Sequence, residues 1–136
     1  MKVPILLWLL GAVRSAVGQG GPEVDFQIPD KWVIDVFDQV RNGLLSGDLQ
    51  IRDEHSSEIH ELNENEKTLL QSRRLIGVKL KPYSQSGKSG VIFSFKFLAP
   101  NKLWQIMPPE QYIKVSRDSN GTFEVYYLGS DKNMAI

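Results

Sequence analysis

The chain has 136 residues, 41% of them hydrophobic, with Lys+Arg 16 balanced by Asp+Glu 16 and no cysteine. That apolar content excludes disorder as the default state, and the missing cysteine excludes a disulfide framework, thiol nucleophiles, redox motifs and cysteine-ligated zinc. The zero net charge hides a segregation. Pro22 to Glu66 is rich in acid (Glu23, Asp25, Asp30, Asp35, Asp38, Asp48, Asp53, Glu54, Glu58, Glu61, Glu64, Glu66), with only Lys31, Arg41 and Arg52 against it. Lys67 to Pro109 holds no acid at all, while Lys67, Arg73, Arg74, Lys79, Lys81, Lys88, Lys96 and Lys102 are basic. Gathered on one face, such a stretch creates a positive field that attracts polyanions; spread out, it only balances the acidic half.

At the N-terminus Lys2 leads an apolar run from Val3 to Val13, and Ala16-Val17-Gly18 follows with small residues where a signal peptidase reads them. A run of about 11 apolar residues is too short for a permanent span, which needs about 20. The expectation is a signal peptide over 1–18, cleaved after Gly18, and a secreted, extracellular single β-rich domain over 19–136. Arg14, just before the cleavage region, is the one residue that departs from this pattern.

Gly20-Gly21-Pro22 reads as a flexible lead-in. Asp30 is placed as an N-cap, and Val33, Val36, Phe37, Val40 and Leu44 recur at helical spacing, so the pattern predicts a helix that Asn42-Gly43 stops. Asp48 to Ile51 alternates as a short strand, Arg52 to Asn65 is polar enough for a surface loop, and Glu64 to Gln71 suits one or two helical turns over Leu69 and Leu70. Then strands follow. Ile76, Val78 and Leu80 alternate with Gly77, Lys79 and Lys81, giving one apolar and one basic face. Pro82 to Gly90 is a loop by composition, Phe93, Phe95 and Phe97 alternate with Ser94 and Lys96, and Leu103 to Met107 resumes a strand that Pro108-Pro109 breaks. A last hairpin is predicted from Ile113 and Val115, through a two-residue turn at Asn120-Gly121, to Phe123, Val125 and Tyr127.

This order of elements resembles the thrombospondin N-terminal domains, a branch of the laminin-G-like sandwiches of secreted matrix glycoproteins. The acidic apolar segment Val33 to Val40, the polar loop, the short helix at Glu66 to Gln71, the strand–loop–strand unit from Leu75 to Phe97 and the hairpin from Tyr112 to Gly129 carry the likeness. It implies a mainly β, antiparallel jelly-roll-like sandwich, here incomplete, with an N-terminal helix and one short helix. That family's domain is longer, with further strands and a disulfide formed by later cysteines. By the same likeness the chain would attach to matrix, binding heparan sulfate and cell-surface receptors.

Little in the sequence supports catalysis. Gly87-Lys88-Ser89 looks like the end of a phosphate-binding loop, but Pro82 stands where the leading glycine belongs and lacks the needed N–H. His55 and His60 lie among Glu54, Glu58 and Glu61, yet on a polar loop without fixed geometry, so no metal or cofactor is expected. Asp35 and Asp38 share the solvated side of the helix, and no Ser/His/Asp arrangement can be picked out, so the chain reads as non-enzymatic. Arg73, Arg74, Lys79, Lys81 and Lys88 are the candidate glycosaminoglycan-binding residues. Asn120-Gly121-Thr122 is a candidate glycosylation site. Partners are then sulfated glycosaminoglycan or matrix and cell-surface proteins, with no nucleic acid and no transmembrane segment. Two other readings stay open: a secreted carrier in which Phe93, Phe95, Phe97, Trp104 and Tyr127 line an apolar pocket, and a secreted inhibitor.

Overall fold

The structure, a computed structural model, describes residues 25–136; the leader expected over 1–18 and the lead-in at Gly20 to Pro22 lie outside the described residues. The elements are helix α1 (Lys31–Ser46), strands β1 (Ile51–Arg52) and β2 (Ile59–His60), helix α2 (Glu64–Leu69), strands β3 (Leu75–Gln85), β4 (Lys88–Leu98), β5 (Glu110–Asp118) and β6 (Phe123–Gly129), and two short 3-10 turns at Asn101–Leu103 and Lys132–Ala135. The strands form one sheet in the order β2-β1-β6-β5-β4-β3, antiparallel except where β1 runs parallel to β6. The mainly β class, the long helix and the short helix agree with the sequence. The layer against the apolar face is α1, and the described residues form no second sheet.

Helix α1 forms because its apolar residues fall on one stripe. Val33, Val36, Phe37, Val40 and Leu44 are all buried, as the spacing requires. Asp30 holds the N-cap position, and its carbonyl accepts from Val33 and Ile34, but its side chain makes no capping bond. Asn42-Gly43 does not stop the helix, which runs on to Ser46. Gly43 instead admits Leu49: a Cβ there would lie 2.7 Å from Leu49 Cδ1. Leu44, one residue on, is buried, and its burial outweighs the cost of about 1 kcal/mol for a glycine within a helix. Helix α2 starts at a capping box in which Asn63 accepts from the Glu66 amide and Glu66 accepts from the Asn63 amide, leaving Leu69 and Leu70 buried beneath.

The core lies between α1 and the strands. Phe37 meets Phe95 at 5.3 Å and Phe97 at 5.4 Å between ring centroids, and Phe93 stacks on Phe95 at 5.4 Å. These rings, with Val78, Ile113, Val115, Val125 and Leu128, fill the helix side of the sheet. Each is worth about 1.5–3 kcal/mol when fully buried.

Three strand expectations change. Pro82 to Gly90 is not a loop: β3 and β4 stay paired down to Gln85↔Lys88 and turn through Ser86 and Gly87, both at positive φ. Pro82 is tolerated because β3 is the outermost strand. Leu103 to Met107 is a short 3-10 turn and loop, with the Leu103 carbonyl accepting from Ile106 and Met107. Two bulges also shift the alternation. Ile76 is the extra residue between the pairs Leu75↔Phe97 and Gly77↔Lys96, and is 40% exposed. Tyr126 is the extra residue between Lys114↔Tyr127 and Val115↔Val125, so Leu128 rather than Tyr127 returns to the core.

Candidate functional site

Because successive side chains of a strand alternate faces, the residues between the core positions share the outer face. On β3 these are Gly77, Lys79 and Lys81; across the pairs Gly77↔Lys96↔Tyr112 and Lys79↔Ser94↔Lys114 the same face continues over β4 and β5. Phe26 sits on this face. Its backbone position is set by Gln27, whose N–H and C=O both pair with Val78 at 2.9 and 3.0 Å. Gly77 leaves the space Phe26 occupies, since a Cβ there would lie 2.8 Å from Phe26 Cβ. Tyr112 packs beside it with ring centroids 5.7 Å apart.

Three ammonium groups from three separate elements surround that ring. Lys79 Nζ lies 4.8 Å from its centroid, Lys96 Nζ 5.5 Å and Lys132 Nζ 5.8 Å. The negative faces of an aromatic ring attract cations by about 0.5–1 kcal/mol at exposed sites, which offsets part of the repulsion among the three. Nearby acids moderate the charge. Glu110 lies 3.7 Å from Lys96, Asp25 accepts from the Phe26 amide and Asp131 from the Asn133 amide. Lys132 comes from the last turn, which is fastened to the face where Ser94 Oγ donates to the Ala135 carbonyl. Burial, with Glu110 adding to it, pushes the Tyr112 hydroxyl pKa up. Farther across the face Lys114 pairs with Glu54 at 2.8 Å and lies over the Tyr126 ring, whose hydroxyl meets Ser116 and donates to Glu124.

The five candidate cations do not form one group. Lys79 and Lys81 share the outer face as expected, and Lys88 has the same parity but lies at the turn end, opposite Gln85. Arg73 and Arg74 precede β3 at its other end, where Arg74 donates to Asn101 Oδ1 at 3.2 Å. At ~3.4 Å per residue, Arg74 and the Gln85–Lys88 end are about 35 Å apart, several screening lengths at physiological salt. Phe26, Lys96 and Lys132 were missed by sequence. The Phe93-to-Phe97 alternation already puts Lys96 on the face opposite the core, but its neighbours follow only from strand order.

The other sequence candidates go elsewhere. His60 contacts the Glu66 carboxylate at 2.8 Å, Glu54 is held by Lys114, and Asp53 accepts from the His55 and Ser56 amides, which hold its carboxyl below the usual range. Among the described residues no group of three or more histidines and carboxylates is placed to hold a metal ion. Phe93, Phe95 and Phe97 are core residues, Trp104 Nε1 donates to the Ala99 carbonyl, and the Tyr127 hydroxyl accepts from the Asp131 amide. Among the described residues, surface grooves include one of about 400 Å³ between Asp48–Arg52 and Phe123–Tyr126 and one of about 250 Å³ beside Met107 and Gln111. Among the described residues no helix is long and apolar enough to cross a membrane. No protein family, curated protein or solved structure matches the chain.

Proposed function

We propose that the chain is a secreted, non-enzymatic matrix or cell-surface binding module that holds sulfated glycosaminoglycan on the outer face of its sheet. The observation that carries the reading is the convergence of Lys79, Lys96 and Lys132 on Phe26, with Lys81 farther along the same strand face. Multidentate ammonium groups at fixed spacing suit a sulfated polymer, and a leader-like N-terminus suits a partner met outside the cell. The resemblance to thrombospondin N-terminal domains gives less support. A jelly-roll-like, laminin-G-like sandwich packs a second sheet on the apolar face of the first, and among the described residues α1 occupies that face instead.

Retention on a heparin column tests the proposal. The protein is expected to bind at low salt and to elute steeply as salt rises above ~0.15 M, where the screening length falls below ~8 Å. Lys79→Gln with Lys132→Gln should lower the eluting salt sharply. Lys31→Gln with Lys67→Gln, which removes two exposed cations from the helices, should not. Equal elution of the two double variants, or no retention at low salt, refutes the reading.

A further inference from the structure

We infer that Asn120 is an N-glycan acceptor and that its oligosaccharide stands at the end of the sheet remote from Phe26; the inference rests on the secretory reading of the leader. Asn120-Gly121-Thr122 is the single Asn-x-Ser/Thr sequence in the 136 residues. The hairpin turn is a four-residue connection rather than the expected two-residue one, and Gly121, at φ 85°, takes its left-handed position. Asn120 is thus not needed for positive φ. Asp118 satisfies the turn instead: its side chain accepts from the Asn120 and Thr122 amides at 2.9 Å, and its carbonyl accepts from Gly121. Asn120 and Thr122 are both exposed, and the Asn120 carboxamide makes no hydrogen bond among the described residues. The backbone therefore gives no reason for an amide side chain at 120, and the side chain is free to react.

The tip is also placed with respect to the basic face. Ser119 N–H donates to the Ser89 carbonyl at 3.0 Å, which joins the β5–β6 tip to the β3–β4 tip. A glycan on Asn120 stands beside Lys88, six residues along β3 from Lys79 to Gln85, or about 20 Å, from the Phe26 cluster. It covers the Lys88 end and leaves the cluster open. In the transfer, Asn120 Nδ2 bonds to the anomeric carbon of the first sugar of a lipid-linked oligosaccharide pyrophosphate. The bond from that carbon to the pyrophosphate oxygen breaks, the lipid pyrophosphate leaves, and one amide proton passes to a base of the transferase.

The full chain is translated with eukaryotic microsomes in two forms, as it stands and with an established cleavable leader placed before Met1. Protease protection reports entry in each. Protected protein of the second form should show one mass step that a glycan-removing amidase reverses. Asn120→Gln and Thr122→Ala should abolish the step, and Thr122→Ser should retain it. Protected protein without the step, or a step that survives Asn120→Gln, overturns the inference. Failure of the first form alone to enter overturns the leader reading and leaves the acceptor result standing on the second form.

Discussion

Arg41 Nη1 on α1 donates to the backbone carbonyl of Leu70 at 2.7 Å, across 29 positions of sequence, and ties the long helix to the end of the short one. The same guanidinium reaches Asp38 Oδ1 at 2.7 Å and lies over the Phe37 ring, so a cation that is 2% exposed is held by one carboxylate, one carbonyl and one aromatic face. Its Nε has no hydrogen-bond partner among the described residues. Arg41→Ala should cost about 3–5 kcal/mol, because the Leu70 carbonyl loses its donor, Asp38 its partner and the site its packing. Arg41→Met keeps the apolar stem and should cost less. Urea unfolding decides; an Arg41→Ala loss under ~0.5 kcal/mol would show that the helices are not joined through this contact.

Phe95 and Ile76 are both apolar strand residues, yet the bulge gives them opposite fates. Phe95→Ala empties a fully buried site between Phe37 and Phe93 and should destabilise by about 3–5 kcal/mol. Ile76→Ala removes a side chain that is 40% exposed and should stay within ~1 kcal/mol. Similar losses for the two in thermal or urea unfolding would place Ile76 in the core and contradict the register.

Gly77 supports the candidate face indirectly. In Gly77→Ala the new Cβ cannot coexist with Phe26, and among the described residues the Phe26 segment is joined to β3 by the one backbone pair Gln27↔Val78, so the segment should move. The Gln27 amide should exchange its hydrogen faster, while the Phe95 and Ile113 amides keep their protection. Heparin retention, if it depends on the ordered ring and its lysines, should fall with it. Unchanged exchange at Gln27 would mean that Phe26 does not rest on Gly77.

The Tyr126 hydroxyl is pushed up from its ordinary value of 10.0 chiefly by burial, against which the Ser116 hydrogen bond acts, with Glu124 raising it further. Above pH ~10 the unfolded chain has lost a phenolic proton that the folded chain keeps. The folded state then binds more protons, so stability is fully present below pH ~10 and falls as pH rises through the raised value. Tyr126→Phe should flatten this alkaline loss relative to the unmutated protein, measured by urea midpoints from pH 8 to 11. An identical slope in both would show that Tyr126 is not shielded.

Much of the frame was legible because burial follows period. The α1 stripe from Val33 to Leu44 and the Phe93–Phe95–Phe97 alternation needed only spacing, and both entered the core. What failed depended on partners distant in sequence. Pro82, Ser84, Ser86 and Gly87 look like loop residues by composition, but a paired neighbour and an outermost position hold them in a strand and a tight turn. A bulge such as that at Tyr126 is a property of two strands, so the one-strand alternation carried Tyr127 to the wrong face. The candidate site was half visible for the same reason. Lys79 and Lys81 share a strand, whereas Phe26, Lys96 and Lys132 meet them only through the sheet order and the fold of the last turn.

Since Val78 spends both its backbone groups on Gln27, the residues two and four farther on, Leu80 and Pro82, also direct theirs away from β4. Beyond Gln27 that rim has no strand beside it among the described residues, and it would serve as a template for fibril-like stacking of one molecule on the next. Pro82 withholds the N–H that such a growing ladder requires, and Lys79 and Lys81 set like charges along it. Pro82→Val should therefore leave the monomer folded but increase light scattering and thioflavin response on prolonged incubation. The proline that disguises β3 as a loop in the sequence thus acts as a solubility guard on a strand whose length would otherwise invite copies of itself.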